Sequence, residues 1–251
     1  MMIVRLSSIV EHLDSYLRVP EIDDSSVNGL QVETDRDITR IAAAVDASLE
    51  AFTRAKEAGA QLLLVHHGLF WGRAPLRGAL YKRVRFLIEH GVGLYAAHLP
   101  LDMHPEVGNN AQLARMIGLA NPKPFLRYRG SLIGVIGEVE RTSVKDLAAT
   151  VERGLGSPVT LLGFGRREVV RVAICSGGGG PDLMQAVEAG ADVYLTGETS
   201  HEAATLARDA GINVIFAGHY ATETLGPKAL ARHVEETFGI PAVFVESPTG
   251  L

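Results

Sequence analysis

Apolar positions along the chain follow two spacings. In "SSIVEHLDSYL" they recur three and four residues apart, which predicts an amphipathic helix with its N-cap at Ser7 or Ser8. Elsewhere they cluster in short runs: "ITRIAAAVDAS", "QLLLVHHG" and "VGLYAAHLPLD". Such runs predict buried strands. The helical stretches "LEAFTRAKEAGA" and "YKRVRFLIEHG" separate them, and "DDSSVNGLQVE" forms a turn-rich loop entering a short strand. The second half repeats the order. "VVRVAICSGGGG", "DVYLTGETS" and "INVIFAGHYATE" read as strands, "PDLMQAVEAGA" (with Pro181 in its first turn) and "HEAATLARDAG" as helices. Strands alternating with helices imply βαβ units and largely parallel sheets, an α/β fold.

The halves also match in register. "KEAGAQLLLVHHG" lines up with "VEAGADVYLTGET", setting Ala60 on Ala191, and "GLYAAHLPLD" lines up with "VIFAGHYATE", setting His98 on His219 and Asp102 on Glu223. This internal similarity predicts a duplicated βαβ unit, with two similar lobes about a pseudo-twofold axis and a site between them. Pro122 and Pro124 mark the expected lobe boundary, giving lobes 1–124 and 125–251 within one compact unit. A helical "SVKDLAATVERGLG" follows.

Composition narrows the function classes. Hydrophobic residues make up 47% of the 251-residue chain, charged residues 21%, and the net charge is −5. Nothing here marks a surface for nucleic acid or anionic membranes. No apolar run approaches the roughly 18 residues that span a bilayer. The early run carries Glu11 and Asp14 where a signal peptide would stay apolar. The single cysteine, Cys175, rules out a disulfide within the chain and fits a reducing, cytoplasmic setting. On its apolar strand it reads as a buried, inert thiol.

Candidate chemistry gathers at the carboxyl ends of the predicted strands, where open α/β sheets place their ligands. His66 and His67 end one strand. Within a regular strand neighbours point to opposite faces, but Gly68 allows the backbone to turn and both rings to converge. Two further strands end in His-x-x-x-carboxylate, His98 with Asp102 and His219 with Glu223. Imidazole suits zinc, iron, copper or nickel, and carboxylate suits manganese and magnesium. These six donors exceed what one ion needs once water completes its shell, so a pair of ions sharing a carboxylate uses them more naturally. The plain alternative for Asp102 and Glu223 is that each caps a following helix, since "LDMHPEVGNN" and "TETLGPKALARH" both look like helix starts.

Other features carry weaker signals. "SGGGGPD" is a glycine-rich turn whose Ser176, Gly177 and Gly178 are candidates for binding an anion through backbone N–H groups. It lacks the Walker and Rossmann patterns, and a tight turn needing positive φ explains it equally. Glu198 and His201 lie where the second half aligns with His66-His67, which makes them candidates for substrate contact or proton transfer. Thr199 or Ser200 caps the helix beside them. His12, His90 and His233 fall on amphipathic helices and read as surface residues, while His104 follows Asp102 and lies either near the site or at a helix start.

"VHHGLFW", "HLPLD", "AGHYATE", "NGLQV" and "TGE" together resemble the Nif-three-like family, often described as dinuclear metal centre proteins or GTP cyclohydrolase 1 type 2 homologues. The resemblance spans nearly the whole chain and matches the short form, without an inserted domain. It implies two divalent metals held by His66, His67, Asp102, His219 and Glu223, with Glu223 as bridge and His98 nearby. It also implies a ring-shaped homohexamer. Many members carry proline where this chain has Gly68, which alters loop rigidity but not the donor set.

Two functional readings follow. One is a metal-dependent hydrolase of a small nucleotide-like substrate, cyclohydrolase-like, with His98 or Glu198 moving a proton. The other is a non-catalytic metalloprotein: a carrier, sensor or interaction scaffold. The donor types admit zinc, iron, manganese or nickel.

Overall fold

The computed structural model describes residues 2–250. The chain divides into two units. The first holds the chain up to Gly108 and again Gly226–Ser247, and the second holds Asn109–Leu225 and the chain from Pro248. These limits differ from the expected division at 124/125.

The first unit opens with helix α1 (Leu6–Tyr16), whose N-cap is Arg5 without a side-chain bond. The expected caps Ser7 and Ser8 lie inside its first turn. The reason is a two-residue bridge just upstream: Val4 pairs with Ile38, so extended chain persists to Arg5 and the helix begins at once. There follow β1 (Gly29–Val32), β2 (Ile41–Asp46), α2 (Leu49–Glu57), β3 (Leu62–His67), α3 (Gly78–His90), β4 (Gly93–Ala96) and the short α4 (Leu99–Asp102).

The second unit contains α5 (Asn109–Met116), β5 (Ala120–Tyr128), β6 (Ser131–Ser143), α6 (Val144–Leu155), β7 (Thr160–Gly163) and β8 (Glu168–Cys175). It continues with α7 (Leu183–Glu188), β9 (Val193–Thr196), α8 (His201–Ala210), β10 (Asn213–Phe216) and α9 (His219–Glu223). Helix α10 (Leu225–Phe238) and β11 (Ala242–Phe244) return the chain to the first unit.

The first unit's sheet has the order β1-β4-β3-β2-β11, with only β1 antiparallel to its neighbour. Its central strands are apolar on both faces because helices cover both. Phe52 and Leu87 pack one face; Ile9, Leu13, Leu230 and Val234 pack the other. The second sheet has the order β5-β6-β8-β9-β10-β7, parallel through β8-β9-β10 and antiparallel at both margins. The hairpin β5–β6 explains why the prolines mislead as a boundary. Pro122 and Pro124 sit in β5, an edge strand, where a missing N–H costs no ladder bond on the outer side.

The internal duplication extends to hydrogen bonds. In the first unit Gln61 Oε1 accepts from the backbone N–H groups of Thr39 and Arg40; in the second Asp192 Oδ2 accepts from Val170 and Arg171. Ala60 N–H donates to Ala55, and Ala191 N–H to Ala186. Among the described residues, no helix is long and apolar enough to cross a membrane.

Candidate metal centre

In the first unit the donors collect at the carboxyl ends of β3 and β4. His66 is fully buried, its Nδ1 set 3.0 Å from the Ala97 carbonyl and its Nε2 3.6 Å from Asp102 Oδ2. His67 stands opposite Asp46 in the β2–β3 register, and its Nδ1 lies 2.9 Å from Asp46 Oδ1. Although adjacent in the strand, the two rings are 4.6 Å apart. The ligand nitrogens of His66, His67 and His98 lie within 4.8 Å of one another.

His98 is the N-cap residue of α4 and is held from the loop before β1. Its Nδ1 lies 3.0 Å from Asp24 Oδ1, its backbone N–H donates to Asn28 Oδ1, and the Leu99 N–H donates to Asp24 Oδ2. Burial pushes the Asp24 carboxyl up, but the His98, Asn28 and Leu99 hydrogen bonds outweigh it and hold Asp24 well below the usual carboxylate range. Asp102 is the last residue of α4, buried, while α5 starts at Asn109. It therefore does not cap the next helix.

Gly68 is needed for space. A Cβ there would fall against the Gln31 amide and 2.7 Å from the Ala96 methyl. Gln31 is itself committed, accepting from the Leu69 N–H and donating to the Val27 carbonyl. This packing accounts for glycine at position 68.

In the second unit His219 is gripped by two carboxylates. Its Nδ1 lies 2.6 Å from Glu198 Oε1 and its Nε2 3.0 Å from Glu223 Oε2. Burial lowers its pKa, but Glu223 and then Glu198 outweigh that and raise it to about 9. At neutral pH the metal-free ring carries a proton, so this position favours positive charge. Glu223 is buried and ends α9, and α10 begins at Leu225, so Glu223 is not a helix N-cap either.

The glycine-rich turn packs onto this pair. Gly177 has φ +61°, and a Cβ there would collide with the Glu223 carboxylate and sit 3.2 Å from His219 Nε2. The Ser176 N–H donates to Asn110 Oδ1 and the Gly177 N–H to Thr222 Oγ1. Those two donors, offered as an anion cradle, are thus spent inside the unit, and Gly178 lies 3.8 Å from Glu198 as measured from its would-be Cβ. His201 is exposed at the first position of α8, where Ser200 caps the helix by accepting from the Ala203 N–H. Cys175 is buried.

Three other histidines are placed differently from the expectation of plain surface residues or site neighbours. His12 and His233 are half-buried, with Nε2 atoms 2.8 Å apart, because α1 and α10 pack side by side in the first unit's core. His104 turns toward the Tyr16 carbonyl and its own turn. Sequence reasoning missed Asp24, Asn28, Gln31, Asp46 and Thr222. Asp46 was detectable in principle, since aligning β2 with β3 sets it beside His67.

Each of His66, His67, His98 and His219 therefore has Nδ1 against a carbonyl or carboxylate, which leaves Nε2 as the ring nitrogen that could hold a metal ion. Backbone or carboxylate support behind imidazole is the pattern that orients metal-binding histidines. The fold is therefore an α/β protein with a duplicated βαβ core whose strand ends carry histidines and buried carboxylates that could hold a metal ion.

The chain belongs to the Duf34/NIF3 (NGG1p interacting factor 3) family, whose model matches residues 4–249. It is 46% identical to the GTP cyclohydrolase 1 type 2 homolog of Deinococcus radiodurans, over 97% of this chain and 93% of that protein. It is likewise 46% identical to the protein of that name in Pyrococcus horikoshii, over 97% and 98%. Among solved structures it is similar to TTHA1606 from Thermus thermophilus, with TM-score 0.92 and 40% identity over 99% of this chain and all (100%) of that one.

Proposed function

We propose that this protein is a metal-dependent hydrolase of a small nucleotide-like substrate, with two divalent ions held by His66, His67, Asp102, His219 and Glu223, the last as bridge. The observation that carries this reading is the shared support behind the histidines: Nδ1 is engaged in His66, His67 and His219, which turns Nε2 to ligation, and His98 is held in the same way beside them. The proton held on His219 in the metal-free state, between two carboxylates, adds that the position is built for a cation. Zinc, iron, manganese and nickel all suit this donor set. When bound, such ions supply Lewis acidity and water activation.

The chain's own residues do the rest. Asp46, Asp24 and Glu198 fix the rings of His67, His98 and His219. Glu198, with a side chain 53% exposed, and His98 are placed to accept and return a proton. The names of the curated relatives support a purine-type substrate. We place the protein in the cytoplasm, as a homohexamer.

The test is metal content of protein purified without chelator or histidine tag, followed by a hydrolase screen on nucleotides with each metal restored. Two ions per chain and metal-dependent turnover are expected. No bound metal overturns the reading. Two ions without turnover of any nucleotide favour a carrier, sensor or scaffold. Light scattering checks the hexamer.

A further inference from the structure

Trp71 lies beside the first-unit histidines but outside the donor set. It is the chain's single tryptophan and is 48% exposed. Its ring centroid is 4.9 Å from that of His98, at 70°, and 6.0 Å from that of His67. The indole N–H donates to the Gly68 carbonyl at 3.1 Å, and the Phe70 carbonyl next door accepts from the Val27 N–H. The ring is thus anchored at its polar edge while much of its surface stays open. A large apolar ring gains by burial, so one held rigid and half in water beside polar histidines is placed to receive something flat.

We infer that Trp71 is a stacking platform that positions a planar nitrogen heterocycle, of purine size, against the His67–His98 edge of the site. This rests on the hydrolase reading of that site. An indole offers a π-face that any such ring can meet, which makes it a recognition element independent of hydrogen-bond pattern. The exposed loop that follows carries Arg73 and Arg77 and no acidic residue, which suits an anionic substituent on the same molecule.

Because there is one tryptophan, its fluorescence reports on this position alone. Zinc-loaded protein is titrated with guanosine 5′-monophosphate and with ribose 5-phosphate, which lacks the ring. Guanosine 5′-monophosphate should quench Trp71 and ribose 5-phosphate should not. By calorimetry, Trp71→Leu should weaken guanosine 5′-monophosphate on the order of 10- to 100-fold, with Trp71→Phe between, and leave metal content unchanged. Absence of quenching, or equal affinity in wild type and Trp71→Leu, overturns the role. So does a Trp71→Leu change confined to oligomeric state, which would make Trp71 a contact between copies. Metal content of the same samples separates the two readings. Metal present without ring-dependent binding overturns the platform alone. Ring-dependent quenching in protein that takes up no metal supports the platform and overturns the hydrolase reading.

Discussion

The ends of β3 and β9 are equivalent positions in a duplicated scaffold, and they have been furnished in opposite ways. β3 ends in His66-His67, whereas the aligned residues after β9 are Gly197 and Glu198. Gly197 leaves no room for a side chain: a Cβ would sit 2.6 Å from the Gly177 carbonyl and 2.9 Å from the His219 Cα. Glu198 became the carboxylate that grips His219. In the first unit the corresponding grip on His98 comes from Asp24, outside the repeat. With that carboxylate coming from the loop before β1, the last two positions of β3 are occupied by histidines. The same backbone location thus carries candidate donors in one unit and an anchor in the other.

The strongest way to break this comparison is to remove a donor from each unit. His67→Ala and Glu223→Ala should each abolish most bound metal, read by elemental analysis, while circular dichroism stays near wild type because strand-end and helix-end residues add little to the core. Two ions per chain in Glu223→Ala would defeat its bridging role. Next comes one glycine from each unit. Gly177→Ala combines a positive φ with a collision at Glu223 and should cost about 2–4 kcal/mol in a denaturant melt. Gly68→Ala, with crowding but no positive φ, should cost about 1–3 kcal/mol. Equal costs would mean that backbone conformation is not what distinguishes the second unit. Third, Asp46→Asn, which removes the support behind His67, should weaken metal about 10- to 100-fold. The more exposed Glu198→Gln should fall at the low end, measured by competition with a chelating dye.

Two pH experiments separate the site from the rest of the fold. Imidazole must be neutral to bind metal, and without metal His219 holds its proton up to about pH 9, so the metal-dependent increment in melting temperature should be larger at about pH 9 than at about pH 7 and shrink further toward about pH 5. A flat increment would remove histidines from the donor set. The smallest effect belongs to His233, which lies on α10 against His12 of α1. Burial, and then neighbouring His12, push its pKa below the ordinary value. Its unfolded pKa, about 6.5, is then the higher one, so the unfolded chain binds more protons in between. The stability it contributes is complete above about pH 6.5 and is lost as pH falls through the lowered folded value. His233→Phe, which keeps the stack on Tyr16, should flatten that part of the acid limb with and without metal alike.

Much of this was readable in the residues themselves. Periodicity located β2, β3, β4, β8, β9 and β10, because parallel strands buried on both faces are continuous apolar runs. The candidate donors were visible because they sit where those runs end. What stayed hidden depended on long-range geometry. β5 carries two prolines and opens with a run of exposed residues, β6 lacks regular alternation and contains two glycines, and β11 is three residues long, so none of them reads as sheet without its partners. Asp24 and Asn28 look like ordinary turn residues until the fold brings them to His98.

Strand β11 carries a consequence for how the chain assembles. Val243 pairs with Ala42, and the whole of the second unit's contiguous segment is threaded between those two residues. A ribosome would therefore finish the second unit's contiguous sheet while the first still lacks one edge strand and the helix α10 that covers it. Closing so long a loop is entropically slow, and it costs less when the intervening segment is already compact. The order of folding then runs against the order of synthesis: the unit begun first is completed last, and β2 spends that interval with an open edge.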